Sequence, residues 1–277
     1  MMMNNIDEIK AILFDLDGVL YTGQQSIAGA QKALQEISSM GIQRRFITNT
    51  STLSRKSLHK KLTDLGFDIS PEEIISAPQA TLIYLKQFAN PVCHLLLAED
   101  VKRDFTEFQQ SDTHADFVII GDIGDAWSYQ LMNKVFKLLM DGAELIAIHK
   151  NRFWQTEQGL QMDIGGFVTA LEYASGKQAT LIGKPALNFF QMALNDIGLP
   201  SNNVAIIGDD IDSDIGGGQS ADLQCILVKT GKYREDYVRT SKIKPDFVIA
   251  SVADLPSLLK NKSTTQSKAT NQSPDSI

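Results

Sequence analysis

Cysteine is almost missing from this chain. Its 277 residues include two, Cys93 and Cys225, each inside an apolar run, "VCHLLLA" and "CILVK". Two thiols without metal-ligand spacing argue against a disulfide framework or a cysteine-built metal site, and they read as buried core residues. Basic charge is also short. Lysine and arginine number 26 against 33 acids, a net charge of −7, which argues against nucleic acid or an anionic membrane as the main partner. No run approaches the ~20 apolar residues of a membrane span. The opening "MMMNNIDEIK" lacks the basic start and apolar stretch of a signal peptide, and no internal repeat occurs. Together these absences predict a protein of the reducing cytoplasm. An acidic chain that handled an anionic substrate would need local positive charge, from lysine or from a bound cation.

What is present is ordinary for a soluble globular protein, with 43% hydrophobic and 21% charged residues. The length suits one large domain or two smaller ones. Short, continuous runs rich in Ile, Leu and Val recur: "AILF", "RFIT", "HLLLA", "FVIIG", "ELIAI", "VAIIG", "CILV" and "FVIA". Such runs are typical of strands buried on both faces. Amphipathic stretches lie between several of them. In "PALNFFQMALNDIGL" the residues Leu187, Phe190, Leu194 and Ile197 share a helical face, Pro185 suits the first turn and Gly198 the end. Strand and helix in alternation predict an α/β fold with mainly parallel strands. From about Lys260 the sequence, "KNKSTTQSKATNQSPDSI", is polar and reads as a disordered tail, residues 261–277.

In α/β folds, sites form beyond the carboxyl ends of the strands. "AILF" is followed by Asp15, Leu16 and Asp17, and "RFI" by Thr48, Asn49, Thr50 and Ser51. "TLIG" is followed by Lys184, and "VAIIG" by Asp209 and Asp210 with Asp212 and Asp214 beyond. If those four strands were neighbours, acids, hydroxyls and one lysine would converge. Several carboxylates together need a cation, and an all-oxygen set favours a small hard ion, Mg²⁺. A metal, a lysine and hydroxyl and amide donors suit a phosphoryl group, whose transfer needs charge neutralised and a nucleophile held in line. Asp15 and Asp17, two apart, would face the same way in a strand, and Gly18 would let the backbone turn beside them. Asp15 is then the candidate nucleophile and Asp17 the acid and base, its pKa raised by neighbouring carboxylates. Thr48, with the amides of Asn49 and Thr50, would hold phosphate oxygens, and Lys184 would add charge before a helix start. Asp209 would complete the metal site, with Asp214 supporting it.

The segments "DLDGVL", "ITNTS", "GKP" and "GDDIDSDI" resemble, in order and spacing, the four motifs of the haloacid dehalogenase superfamily over roughly residues 9–260. About 130 residues separate the second and third motifs, room for an inserted domain. Its end, "GGFVTALEYASGKQATLIGKP", is similar to the pattern of subfamily IIA. The resemblance implies a Rossmann-like three-layer αβα core from residues 1–78 and 181–260. It also implies an inserted α/β (C2-type) cap at 79–180. A Mg²⁺-dependent phosphohydrolase of small phosphorylated compounds with an aspartyl-phosphate intermediate is implied as well. So is a metal held by the Asp15 and Asp209 carboxylates and the Asp17 main-chain carbonyl, and a homodimer for which the cap would offer a surface. One departure is "DIGGGQ", where Gly218 replaces the family's usual alanine and would loosen a helix start by up to ~1 kcal/mol.

Plainer readings stand beside these. Asp15 and Asp17 could cap a turn, Thr48 and Asn49 a turn or helix start, and Lys184 could be a solvated surface lysine. Asp210, Asp212 and Asp214 cannot all be ligands, and at least one of them would be a helix-start acid. Gly216–Gly218 lacks the spacing of a nucleotide loop and reads as close packing. His149, Lys150 and Arg152 of the presumed cap would either read the leaving group or lie on its surface. A phospho-accepting signalling module, a catalytically silent phosphate-binding protein and a carbon–halogen hydrolase are the competing function classes.

Overall fold

The computed structural model describes residues 6–156 and 159–261, so most of the polar tail lies outside the described residues. In chain order the strands are β1 (Ala11–Asp15), β2 (Gln43–Thr48), β3 (Ile74–Ser76), β4 (Val92–Leu96), β5 (Gln109–Gln110), β6 (Phe117–Ile120), β7 (Glu144–Ala147), β8 (Thr180–Leu181), β9 (Val204–Gly208), β10 (Gln224–Val228) and β11 (Phe247–Ile249). Two short hairpins join them, Tyr21–Thr22 with Gln25–Ser26 and Phe153–Thr156 with Gly159–Met162. All eight apolar runs of the sequence are strands. The chain divides into two compact units, one made of the residues up to Arg45 and those from Leu194 onward, the other Phe46–Ala193.

The first unit is a Rossmann-like α/β sheet. β1 pairs in parallel with β9, from Ala11↔Val204 to Phe14↔Ile207. β9 then pairs with β10 and β10 with β11, also in parallel. Every residue of β1, β9 and β10 is buried, which explains why these strands are unbroken apolar runs. The helix Ala30–Ser39 buries Ala30, Ala33, Leu34 and Ile37, the three- and four-residue spacing of a helix packed on one face. The second unit, inserted in the sequence between the two segments of the first, is also α/β. Its five-stranded sheet runs β8–β7–β6–β4–β5, parallel throughout. Val118, Ile120, Val135, Leu139 and Leu145 anchor its core, and the Trp127 ring stacks on Phe167 at 4.2 Å and 7°. Among the described residues no helix is long and apolar enough to cross a membrane.

Two expectations need correction. The helix following Lys184 starts at Leu187, not Pro185. Pro185 lies in a turn closed by the Ala186 N–H donating to the Gly183 carbonyl at 2.9 Å. The buried stripe shifts accordingly to Phe189, Phe190, Ala193 and Ile197, leaving Leu187 40% exposed. Second, β8 belongs to the sheet of the second unit, pairing with Ile146 and Ala147 of β7. The four motif-bearing strands are therefore not four neighbours in one sheet, because a two-residue strand carries too little pattern to show which sheet it joins.

Gly218 does close-packing work. A Cβ there would sit 2.5 Å from Ile206 Cγ2 and 3.0 Å from Cys225 Sγ. Alanine would gain about 1 kcal/mol of helix propensity but overpack a filled core at a cost of about 1–3 kcal/mol. Gly218→Ala is accordingly expected to lower the midpoint of urea unfolding at unchanged m-value. A raised midpoint would show that the neighbours yield and propensity wins.

Candidate active site

Parallel pairing of β1 and β9 brings their carboxyl ends side by side, and Asp15 and Asp209 stand there. Gly208 lets a third acid join them, since a Cβ at that position would lie 2.2 Å from Asp214 Cβ. One carboxylate oxygen from each of Asp15, Asp209 and Asp214 lies within 4.8 Å of the others. All three residues are buried, at 7%, 2% and 0% exposure. Burial, then the charges of Asp15 and Asp214, push the Asp209 pKa well above the ordinary carboxylate range.

The remaining acids of "GDDIDSD" do other work. Asp210 caps the π-type helical turn Ile211–Gly216, its Oδ1 accepting from the Asp212 and Ser213 N–H groups at 3.0 and 3.1 Å. It is the helix-start acid that the sequence called for. Burial works against its ionised form, but the Lys232 ammonium and those N–H donors outweigh burial and lower its pKa. Asp212 is exposed and accepts from the Tyr237 hydroxyl at 2.6 Å. Asp214 Oδ2 accepts from the Asp210 N–H at 3.0 Å.

Asp17 departs from the strand argument. β1 ends at Asp15, so the alternation of strand neighbours does not extend to Asp17, which is exposed while Asp15 is buried. It lies where the chain turns, with the Gly18 N–H donating to the Tyr21 carbonyl at 2.7 Å. Gly18 has φ +85°, and a Cβ on it would fall 1.9 Å from Asp209 Oδ2. Glycine is needed there both for the turn and for the carboxylate's approach.

The sequence reading missed the loop Thr230–Lys232. The Thr230 hydroxyl donates to the Gly18 carbonyl at 2.5 Å. A Cβ on Gly231 would also lie 1.9 Å from Asp209 Oδ2. The Lys232 N–H donates to that oxygen at 2.6 Å, and its ammonium reaches Asp210 Oδ2 at 3.5 Å. Burial pulls the Lys232 pKa down, but Asp210, Asp209, Asp15 and Asp214 together hold it above the ordinary value, so the side chain stays charged. The sequence shows "KTGKY" directly after the run "CILV" but gives Lys232 no role, because only the fold brings its N–H to Asp209 and its ammonium to Asp210.

The second unit groups the other candidates. Thr48 ends β2. Its Oγ1 accepts from the Thr50 N–H at 3.0 Å and lies 2.9 Å from the Thr50 hydroxyl. The Asn49 carboxamide grips the backbone of Lys184, with Nδ2 donating to its carbonyl and Oδ1 accepting from its N–H, both at 2.8 Å. Gly183 makes room for that grip, since a Cβ on it would meet Asn49 Oδ1 at 2.4 Å. Lys184 is 2% exposed, which rules out a solvated surface lysine. His149 is buried too, contrary to a surface role, and its Nε2 is 3.2 Å from the Ser51 hydroxyl. Lys150 pairs with the buried Glu172, and Arg152 is exposed.

Asp15, Asp209 and Asp214 thus come together in the first unit. Thr48, Asn49, Thr50 and Lys184 stand at two chain segments joined by the Asn49 grip in the second. The acid cluster fits a divalent cation by its own chemistry. Its donors are all hard oxygens, and Asp209 Oδ1 is buried with no hydrogen-bond partner among the described residues. Such an atom is costly unless something binds it.

Known proteins resemble this arrangement along most of the chain. Residues 12–110 match a family described as haloacid dehalogenase-like hydrolase, and residues 181–255 match a HAD-hydrolase-like family. Haloacid dehalogenase-like hydrolase domain-containing protein 2 of Bos taurus is 43% identical over 227 residues, 82% of this chain and 86% of that protein. Phospholysine phosphohistidine inorganic pyrophosphate phosphatase of Rattus norvegicus is 36% identical over 258 residues, 91% and 94% of the two chains. The crystal structure of a 4-nitrophenylphosphatase from Thermotoga maritima superposes with a TM-score of 0.85 at 25% identity, covering 92% of this chain and 99% of that one.

Proposed function

The chain belongs to the haloacid dehalogenase-like hydrolases and is a phosphatase, and on that premise we propose that Asp15 is its nucleophile and Mg²⁺ its cofactor. The observation that carries this reading is the buried Asp15–Asp209–Asp214 cluster with its unpartnered Asp209 oxygen. Asp15 and Asp209 would hold the ion through their carboxylates and Asp17 through its main-chain carbonyl, with Asp214 behind them. When bound, the ion supplies charge neutralisation for the carboxylates and the phosphoryl oxygens.

The residues of the chain then divide the reaction. A carboxylate oxygen of Asp15 attacks phosphorus, and the bond to the leaving oxygen breaks as Asp17 gives that oxygen its proton. The product on the protein is an acyl phosphate on Asp15. Asp17, now ionised, takes a proton from the attacking water, which releases inorganic phosphate and regenerates both carboxyl groups. Thr48, with the amides after it, and the Lys184 ammonium hold phosphoryl oxygens. Asn49 fixes the Lys184 backbone. The burial of Lys184 supports this, because a lysine is rarely kept from water without an anionic task.

The substrates in this reading are small phosphorylated compounds, as the names of the relatives suggest. A core at 1–78 and 181–260, a cap at 79–180, a cytoplasmic location and a homodimer through the cap belong to the same reading. Phosphate release from a panel of small phosphate esters and pyrophosphate, with Mg²⁺ and with EDTA, tests it. Turnover is expected with Mg²⁺ and should vanish in EDTA. Equal turnover in both would sink the metal assignment.

A further inference from the structure

We propose that Lys232 is a built-in counter-cation, a positioning residue that sets how tightly the Asp15–Asp209–Asp214 cluster takes up a divalent ion. The inference rests on the metal reading above and goes beyond it, because this loop lies outside the four segments "DLDGVL", "ITNTS", "GKP" and "GDDIDSDI" from which that reading was built.

Three features of the loop support it. First, the Lys232 N–H donates to Asp209 Oδ2 at 2.6 Å, while Asp209 Oδ1 has no hydrogen-bond partner among the described residues. The backbone of this residue thus engages one oxygen of Asp209 and orients the other toward an ion. Second, the loop has no room to drift. The Thr230 hydroxyl holds the Gly18 carbonyl, and Gly231 abuts Gly18 so closely that a Cβ on it would lie 2.5 Å from Gly18 Cα. Third, the ammonium is tethered to Asp210 Oδ2 at 3.5 Å, and Asp210 is itself fixed by two backbone donors to its other oxygen. A positive charge therefore stands beside Asp210, near enough to Asp209, Asp15 and Asp214 to interact with their carboxylates.

Such a charge has two effects of opposite sign. In the metal-free protein it offsets repulsion among buried carboxylates and favours the folded state. Once a divalent ion arrives, it repels that ion. At the effective dielectric of protein sites, a unit charge several ångströms from a divalent ion weakens binding by roughly tenfold or more. The cluster is thereby kept from holding its ion irreversibly.

The test is a calorimetric titration of the full metal-free chain with MgCl₂, paired with thermal unfolding in EDTA. The variants are Lys232→Met, Lys232→Gln and Lys232→Arg. The methionine and glutamine variants keep the backbone N–H and most of the stem but lose the charge. Both are expected to bind Mg²⁺ about tenfold more tightly and to unfold at a lower temperature in EDTA, while arginine restores both values. Tighter binding cannot arise from loop damage, which would weaken uptake. Glutamine can still hydrogen-bond Asp210, so it carries the test if methionine prevents folding. Unchanged or weaker Mg²⁺ binding in the folded neutral variants would overturn the proposal. A wild-type chain that takes up no Mg²⁺ would instead overturn the metal reading on which the proposal stands.

Discussion

Asp15→Asn is expected to abolish phosphate release, with kcat falling by at least about 10⁴-fold, and at the same time to raise the melting temperature of the metal-free protein. The first effect follows because a carboxamide is a poor nucleophile toward phosphorus, and loss of a nucleophile typically removes most of a covalent catalyst's rate. The second follows from electrostatics. Asp15, Asp209 and Asp214 are buried within 4.8 Å of one another, and Asp15 is the largest charged contributor to the raised pKa of Asp209. Removing one like charge from such a group relieves repulsion, and each kcal/mol recovered should raise Tm by about 2–4 °C in a chain of this size. Activity lost while stability rises cannot be a folding defect. Paired single-turnover kinetics and thermal unfolding decide it, and more than a hundredth of wild-type kcat in the variant would remove Asp15 from the nucleophile's role.

The metal-free protein should also lose stability as pH rises, and Mg²⁺ should return it. Folding raises the Asp209 pKa from its ordinary 3.8. Below 3.8 both the folded and unfolded chains keep that proton, and the stability tied to it is fully present. As pH climbs from there through the higher folded-state pKa, the unfolded chain releases its proton first, and the contribution is lost. A divalent ion binds the ionised cluster and competes with that proton. Mg²⁺ at 100 times its Kd would stabilise by about 2.7 kcal/mol. The Tm difference between Mg²⁺ and EDTA samples is therefore expected to widen from pH 5 to pH 8. Taking the difference cancels groups remote from the ion. A gap that stayed constant or narrowed would contradict a cation held by Asp209.

Particular residues show how far the sequence carried. Fully buried parallel strands must be continuous apolar runs, so β1, β9 and β10 were legible. β3 and β5, three and two residues long, carry too little pattern to be seen. Asp15 and Asp209 were legible because α/β sites form beyond strand ends. The division of labour among Asp209, Asp210, Asp212 and Asp214 was not, since it depends on which carboxylate caps the π-type turn and which slides beneath Gly208. Asn49 was readable as a phosphate donor, but its grip on Lys184 spans 135 residues, and nothing local announces a pairing that distant. Lys232 shows the same limit, as its backbone and its charge matter through where the fold delivers them.

The pairing of β1 with β9 also bears on how the chain is made. β1 is complete at Asp15, yet the strand that covers this side of it starts at Val204. At the roughly 5–20 residues per second of protein synthesis, the interval between the two is about 10–40 s. During that time the β1 edge destined for β9 stays open on an apolar segment, while the second unit, continuous in sequence from Phe46 to Ala193, emerges whole and can close its own core. The acid cluster is thus assembled only after the whole second unit has emerged. Nascent chains stalled before Val204 would carry a folded insert beside an exposed, aggregation-prone strand, the kind of segment that ribosome-associated chaperones shield.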